Sequence, residues 1–153
     1  MADQEYDTDL ALWAASQARA LRDAGHAGIN LPIDWENVAE EIEAFGKSQA
    51  RELASRISVI LVHLMKLQSS PATEPRGGWH ETIVAQRNEV ERILEDSPSL
   101  RQAVGRIIAR EIGAAQRQAS AALMDHGEAP RIGVDHLSYS EVEVLGVWLP
   151  AGT

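Results

Sequence analysis

The stretch from Trp35 to Gln68 constrains the fold most strongly, because it holds no proline and repeats apolar side chains at the α-helical period. The repeating residues are Val38, Ile42, Phe45, Ala50, Leu53, Ile57, Ile60, Leu64 and Leu67. A stripe of this kind faces the core of a globular protein. Gly46 can break it, since glycine costs roughly 1 kcal/mol relative to alanine inside a helix. The sequence therefore predicts one long helix, straight or kinked near Gly46.

Three shorter stretches with the same period predict three further helices. The first covers residues 8–24 and stops at Gly25, the second begins at Trp79, and the third begins at Pro98. The apolar stripe of the last of them consists of Leu100, Val104, Ile108, Ile112, Ala115 and Ala119. Side-chain caps are expected from Asp34 for the long helix and from Ser97 for the last one.

The remaining segments carry residues that interrupt regular structure. Residues 69–78 hold two prolines and two glycines and are expected to form a loop. After Leu123 the sequence indicates an irregular strap, with one short turn capped by Ser140 and Glu143. The strap is expected to pack through Val142, Leu145 and Trp148. The predicted fold class is all-α, a single-domain helical bundle of four main helices with a C-terminal irregular strap.

Length, composition and charge limit the classes of function. The 153 residues are 44% apolar and 24% charged, contain no cysteine and carry a net charge of −9. The absence of cysteine excludes thiolate catalysis and cysteine-ligated metals. No apolar run approaches the roughly 20 residues of a membrane-spanning helix and no signal peptide is evident, so a cytoplasmic location is expected. Residues 1–46 carry ten acidic side chains and two arginines, which disfavours nucleic acid and favours a basic partner.

Three glutamates within four positions, Glu40, Glu41 and Glu43, raise the question of a paired-carboxylate site. At about 100° per residue these side chains diverge, whereas general acid–base pairs must converge in environments that separate their pKa values. Glu36, Glu40 and Glu43 are expected to share the solvated face, where Glu43 and Lys47 form an i,i+4 pair. This face is a candidate interaction surface.

Polar side chains run beside the apolar stripe of the long helix. Gln49, Arg56 and His63 recur every seven residues, and polar residues intrude on the apolar faces of the next two helices at Gln86 and Glu111. Buried polar groups need partners, so an Arg56–Glu111 pair is expected within a shared network. The network either fixes the register of the helices or lines a polar pocket, in which His63 would transfer protons.

Other chemical motifs are weak. No Glu-x-x-His repeat is present, and no phosphate-binding loop or nucleophile elbow occurs, so no metal and no cofactor are expected. The last helix places Arg106, Arg110 and Arg117 on one outward face. This basic stripe fits an acidic partner, such as the N-terminal third of a second copy, better than it fits nucleic acid.

Several blocks of the sequence resemble a bacterial family called domain of unknown function twenty-nine. The blocks are "YDTDLALWAASQARALRDAG", "NVAEEIEAFGKSQARELASRISVILVHLMKLQ", "WHETIVAQRNEVERILEDSPSL" and "YSEVEVLGVWLP". The resemblance covers nearly the whole chain and departs from the family at Leu67, where similar proteins tend to have tryptophan. It implies a small helical protein without an established activity and transfers no catalytic residue. It draws attention to Glu41, His63, Trp79, Gln86 and Arg87.

Three functions remain open from the sequence. The first is a non-enzymatic interaction or scaffolding module that binds a second copy or another protein through its acidic N-terminal helices and exposed tryptophans. The second is a helical-bundle enzyme or small-ligand binder with a polar pocket around His63. The third is weak association with nucleic acid through the arginines of the last helix.

Overall fold

The computed structural model describes residues 2–151, and within them the chain is helical and contains no strand. The four main helices are α2 (Leu10–His26), α3 (Trp35–Ser69), α4 (Arg76–Asp96) and α5 (Val104–Asp125). Two short helices are α1 (Ala2–Thr8) and α6 (Glu141–Leu145), and 3₁₀ segments cover Pro98–Ala103 and Val134–His136. The predicted all-α class with four main helices is confirmed.

The chain forms two compact units. Unit 1 comprises Met1–Glu52 and Arg92–Gln102, and unit 2 comprises Leu53–Glu91 and Ala103–Thr153. Helix α3 contributes its first half to unit 1 and its second half to unit 2, and it continues without interruption past Gly46. The single domain expected over the whole chain therefore stays a prediction.

Unit 1 is fastened by the buried carboxylate of Asp9. This side chain caps α2 by accepting from the Leu12 amide at 2.8 Å, and it also accepts from the amide and hydroxyl of Ser99 at 2.6 and 2.9 Å. Because Asp9 caps α2, the expected helix over residues 8–24 begins at Leu10 and ends at His26, and the short α1 before it was not predicted. Ser97 was expected to cap the last helix. Its hydroxyl instead accepts from the Ala11 amide at 3.1 Å, and α5 begins at Val104 without a side-chain cap.

The contact of α2 with α3 is made by small residues. Ala14 and Ala39 are fully buried, and an added Cβ at Gly46 would lie 2.9 Å from the Cβ of Ala14. Val38 and Phe45 were expected in the core, but 39% and 41% of their surfaces are exposed. The face of α3 that packs against α2 carries small side chains, because these allow the two helices to approach closely.

Unit 2 holds the largest apolar core. Its fully buried side chains include Leu53, Ile57, Ile60, Leu61, Leu64, Met65, Leu67, Ile83, Val104 and Val144. Helix α4 begins at Arg76, three residues before the expected start and inside the expected loop. Proline before or within a first helical turn sacrifices no intrahelical hydrogen bond, so Pro75 marks the beginning of this helix.

Two arginines close the C-terminal end of α3. Arg76 donates to the carbonyl of Leu67 at 2.6 Å and to that of Ser70 at 3.3 Å, while Arg131 donates its guanidinium to the Leu67 carbonyl and its amide to the Ser69 carbonyl. Burial lowers the pKa of Arg76, and the neighbouring Arg131 charge lowers it further. The cations complement the negative end of the helix dipole and satisfy carbonyls that the helix leaves free.

The C-terminal strap is held by Arg87 of α4. Its guanidinium donates to the backbone carbonyls of Glu143, Val144 and Trp148 at 2.8, 2.9 and 2.7 Å. The capping box of Ser140 and Glu143 is present as predicted at the start of α6. Val142 was expected to pack inward and is instead 77% exposed. Val144, two residues further along the chain, fills the core in its place.

Candidate functional site

Two of the five residues expected to line a polar pocket, Arg56 and Gln86, are joined by a hydrogen bond. Gln49 belongs to unit 1, and the other four belong to unit 2. Arg56 donates to the side-chain oxygen of Gln86 at 3.3 Å, as a network between α3 and α4 requires. Glu111 pairs with Arg110, its neighbour in the chain, at 3.0 Å. The pocket itself stays a prediction.

His63 hydrogen-bonds within its own helix. Its Nδ1 lies 2.8 Å from the carbonyl oxygen of Val59, which accepts a hydrogen bond only if this nitrogen carries the proton. Burial lowers the pKa of His63, and the charge of Lys66 one turn further along lowers it again. The side chain is therefore held as a neutral imidazole with its Nε2 unprotonated.

One turn beyond His63, unit 2 contains a cavity of about 260 Å³. It is lined by Lys66, Pro75, Trp79, Ala122, Leu123, His126 and Glu128. None of the five predicted pocket residues is among them. No local pattern of residues predicts this cavity, because it is assembled from the ends of three helices and from the loop after α5.

The charged groups of the cavity are held apart. The Lys66 ammonium lies 5.9 Å from the centre of the Trp79 ring, and one oxygen of Glu128 accepts from the Ser70 hydroxyl at 2.6 Å. Within residues 2–151 neither Lys66 nor Glu128 forms an ion pair. His126 hydrogen-bonds the Ala122 carbonyl through Nδ1 at 2.8 Å. An ammonium and a carboxylate thus face one apolar space without neutralising each other.

The acidic face of α3 divides into paired and unpaired residues. Arg22 binds Glu36 at 3.0 Å and Glu43 at 3.1 Å, and Lys47 binds Glu43 at 3.3 Å as predicted. These hydrogen bonds lower the pKa of Glu43. Glu40 and Glu41 are exposed and have no ion-pair partner within the described part of the chain. Of the three glutamates expected to bind a partner, Glu40 alone is uncommitted.

An apolar loop precedes this face. Ile29, Leu31 and Ile33 each expose between 41% and 54% of their surface. The amides of Leu31 and Ile33 donate to the carbonyls two residues earlier, at 3.0 and 2.8 Å. These are consecutive three-residue turns. The loop could not be predicted from the glycines around it, because they indicate only the end of a helix.

A basic face lies on α5. Arg106, Arg110 and Arg117 are exposed, as their spacing predicted. Arg110 pairs with Glu111, while Arg106 and Arg117 have no ion-pair partner among residues 2–151. An added Cβ at Gly105 would touch the Glu141 carboxylate, so α6, which exposes Val142, packs against the start of α5.

The tryptophans are not the exposed side chains that an interaction surface was expected to use. All four are half-buried. Trp13 makes an edge contact with Tyr6, Trp35 packs on Gly25, and Trp148 packs on Tyr139. Trp79 lines the unit 2 cavity. The exposed apolar surface belongs to aliphatic residues instead.

Neither a membrane-spanning helix nor a metal-binding group of side chains is present among the described residues. Within 2–151 no helix has the length and apolar character needed to cross a membrane. Within the same residues no three histidine or acidic side chains are grouped so that they could hold a metal ion.

These features define an all-α protein of four main helices with a small cavity in one unit and charged, partly apolar surfaces. The chain belongs to the family described as a domain of unknown function, DUF29, whose profile matches residues 5–133. It is similar to an α-helical protein of unknown function from Rhodospirillum rubrum, with 31% identity over 92% of this chain and 88% of that one, and a TM-score of 0.75. No curated protein matches it.

Proposed function

We propose that the protein is a non-enzymatic interaction module that docks a basic protein surface onto unit 1. The observation that carries the proposal is the exposure of the apolar loop of Ile29, Leu31 and Ile33, which precedes in the chain the exposed Glu40 and Glu41, neither of which has an ion-pair partner among the described residues. Interfaces combine apolar contacts, which supply affinity, with rim charges, which select the partner. This loop and these two glutamates together are called the acidic docking surface below.

A second copy of the chain is the partner that fits this surface. Its α5 presents Arg106 and Arg117 without ion-pair partners among the described residues, and α6, which contacts α5, exposes Val142. Acidic and apolar groups on one copy are thereby matched by basic and apolar groups on the other. The same arginines were considered for nucleic acid, but the net charge of −9 opposes a phosphate backbone.

The test is sedimentation velocity of the purified chain over a range of protein concentrations. The wild type is expected to self-associate at low salt and to dissociate at high salt, because exposed charges are screened. Leu31→Ser and the double variant Glu40→Lys/Glu41→Lys should each weaken association at least tenfold. These residues are exposed, so the circular dichroism and melting temperature of the variants should stay close to those of the wild type.

A matched control separates local from general charge effects. Glu81→Lys/Glu91→Lys changes the net charge by the same amount at exposed positions of α4, in unit 2. This variant should associate like the wild type. A wild-type chain that remains monomeric at every concentration, or a control that dissociates as much as the docking variant, would refute the proposal.

A further inference from the structure

We infer that the unit 2 cavity is a binding site for a free α-amino acid with an apolar side chain. The inference does not depend on the proposed interaction module, because the cavity and the acidic docking surface belong to different units. It starts from what the cavity walls offer to a ligand.

The size of the cavity selects a small molecule. Its volume is about 260 Å³, and ligand pockets for drug-sized molecules begin at about 300 Å³. Free amino acids such as leucine and phenylalanine are smaller than drug-sized molecules and suit a cavity of this volume.

The walls are apolar on the side where a ligand's body would lie. Pro75, Trp79, Ala122 and Leu123 contribute carbon surface. Burying apolar area against these residues would stabilise a bound apolar side chain. An aliphatic or aromatic side chain therefore matches this part of the cavity.

The polar groups call for both signs of charge on the ligand. Lys66 supplies an ammonium that no carboxylate among residues 2–151 neutralises, and Glu128 supplies a carboxylate that no cation among them neutralises. The Ser70 hydroxyl fixes one oxygen of Glu128, which orders this carboxylate before a ligand arrives. A ligand carboxylate would pair with Lys66 and a ligand ammonium with Glu128. Together with an apolar body, these requirements describe an α-amino acid.

The experiment is isothermal titration calorimetry of the full chain with L-phenylalanine and L-leucine. Two analogues report on the charged groups without any change to the protein. Phenethylamine lacks the carboxylate that Lys66 would bind, and 3-phenylpropanoate lacks the ammonium that Glu128 would bind. The proposal expects saturable binding of the amino acids and at least tenfold weaker binding of both analogues.

Protein variants then assign the groups. Lys66→Met and Glu128→Gln should each weaken L-phenylalanine binding at least tenfold, and glutamine can still accept from Ser70. Phenethylamine should bind Lys66→Met and the wild type with equal affinity, because it lacks the carboxylate that Lys66 would bind. For the same reason, 3-phenylpropanoate, which lacks the ammonium, should bind Glu128→Gln and the wild type with equal affinity. Lys47→Met is the matched control, since Lys47 is the other lysine of the chain and lies in unit 1. It should bind as the wild type does.

Each alternative result overturns the proposal. If neither amino acid produces a heat of binding, the cavity does not bind the proposed class of ligand. Equal affinity for 3-phenylpropanoate and phenylalanine would make the cavity a site for simple organic anions. Unchanged affinity in Glu128→Gln would remove the group that selects an ammonium.

Discussion

His63 illustrates how a single polar residue is kept neutral inside this protein. The side chain sits among the buried residues of α3, and its Nδ1–H is engaged by the Val59 carbonyl. Protonation of Nε2 would place a charge in a partly desolvated position near Lys66. The hydrogen bond favours the protonated ring, but the desolvation is the larger effect, and the pKa is lowered.

This lowered pKa predicts a pH dependence of stability. The folded chain takes up the His63 proton at a lower pH than the unfolded chain, whose value is 6.5. The contribution of His63 to the free energy of unfolding is therefore complete above pH 6.5 and is lost as the pH falls below it. Urea unfolding between pH 5 and 7.5 should show a steeper loss for the wild type than for His63→Gln.

The control for this measurement is His26→Gln, because His26 is exposed at the end of α2. It should retain the pH dependence of the wild type. Parallel curves for the wild type and His63→Gln would contradict the assignment of a neutral His63.

The polar residues show which contacts a sequence pattern can predict and which it cannot. The seven-residue spacing identified Arg56 and His63 as half-buried positions, and the Glu43–Lys47 pair followed from helical spacing alone. The partners of Ser97 and Asp9 could not be deduced. Each binds a group 86 or 90 residues away in the chain, and no local rule encodes such contacts.

At the scale of elements, the contact between α2 and α3 depends on residues that a hydrophobicity pattern undervalues. The apolar period located α3 correctly, but Val38 and Phe45 were wrongly assigned to the face that packs in the core. The buried face carries Ala39 and Gly46, because small residues let helix axes approach closely. The start of α4 was missed for a related reason, since Pro75 and the two glycines after Arg76 were treated only as helix breakers.

Gly46→Ala tests the close contact directly. Alanine favours a helix interior over glycine by about 1 kcal/mol, but its Cβ would meet the Cβ of Ala14 at 2.9 Å. We expect a net loss of stability of about 1–2 kcal/mol, measured by chemical denaturation.

Gly113→Ala in α5 is the matched substitution without the clash. Its Cβ would meet only the flexible end of Arg117, at 3.6 Å, so the free energy of unfolding should rise by up to about 1 kcal/mol. Equal changes in the two variants would show that Gly46 does not set the distance between α2 and α3.

The strap makes a second prediction at the scale of elements. Arg87→Met keeps the length of the side chain but removes the donors to the carbonyls of Glu143, Val144 and Trp148. We expect a loss of roughly 3 kcal/mol and faster hydrogen exchange in α6, because three carbonyls lose a charged partner. Burial lowers the pKa of the half-buried Arg87.

Arg101→Met serves as the control because Arg101 is exposed in a 3₁₀ segment. Its stability and its exchange rates in α6 should match those of the wild type. If α6 exchanges as slowly in Arg87→Met as in the control, the strap is held by Val144 packing instead.

For the whole molecule, the distribution of charge carries the most information about function. The chain has a net charge of −9, concentrated in its first 46 residues, while α5 presents arginines without ion-pair partners in the described part of the chain. Composition and helical spacing were sufficient to predict that Glu40 and the three arginines of α5 are exposed. They could not predict that Arg22 pairs with Glu36 and Glu43, or that Ile29, Leu31 and Ile33 are exposed, since both depend on the turn between α2 and α3.

We propose that the acidic docking surface of one copy binds the arginine face of another, and a charge exchange between two variants tests this claim. One variant carries Glu40→Lys/Glu41→Lys, and the other carries Arg106→Glu/Arg117→Glu. Sedimentation velocity should show that each variant alone has lost self-association. Mixed in equal amounts, they should associate again, because the reversed surfaces are complementary. A mixture that sediments as two monomers would contradict the claim.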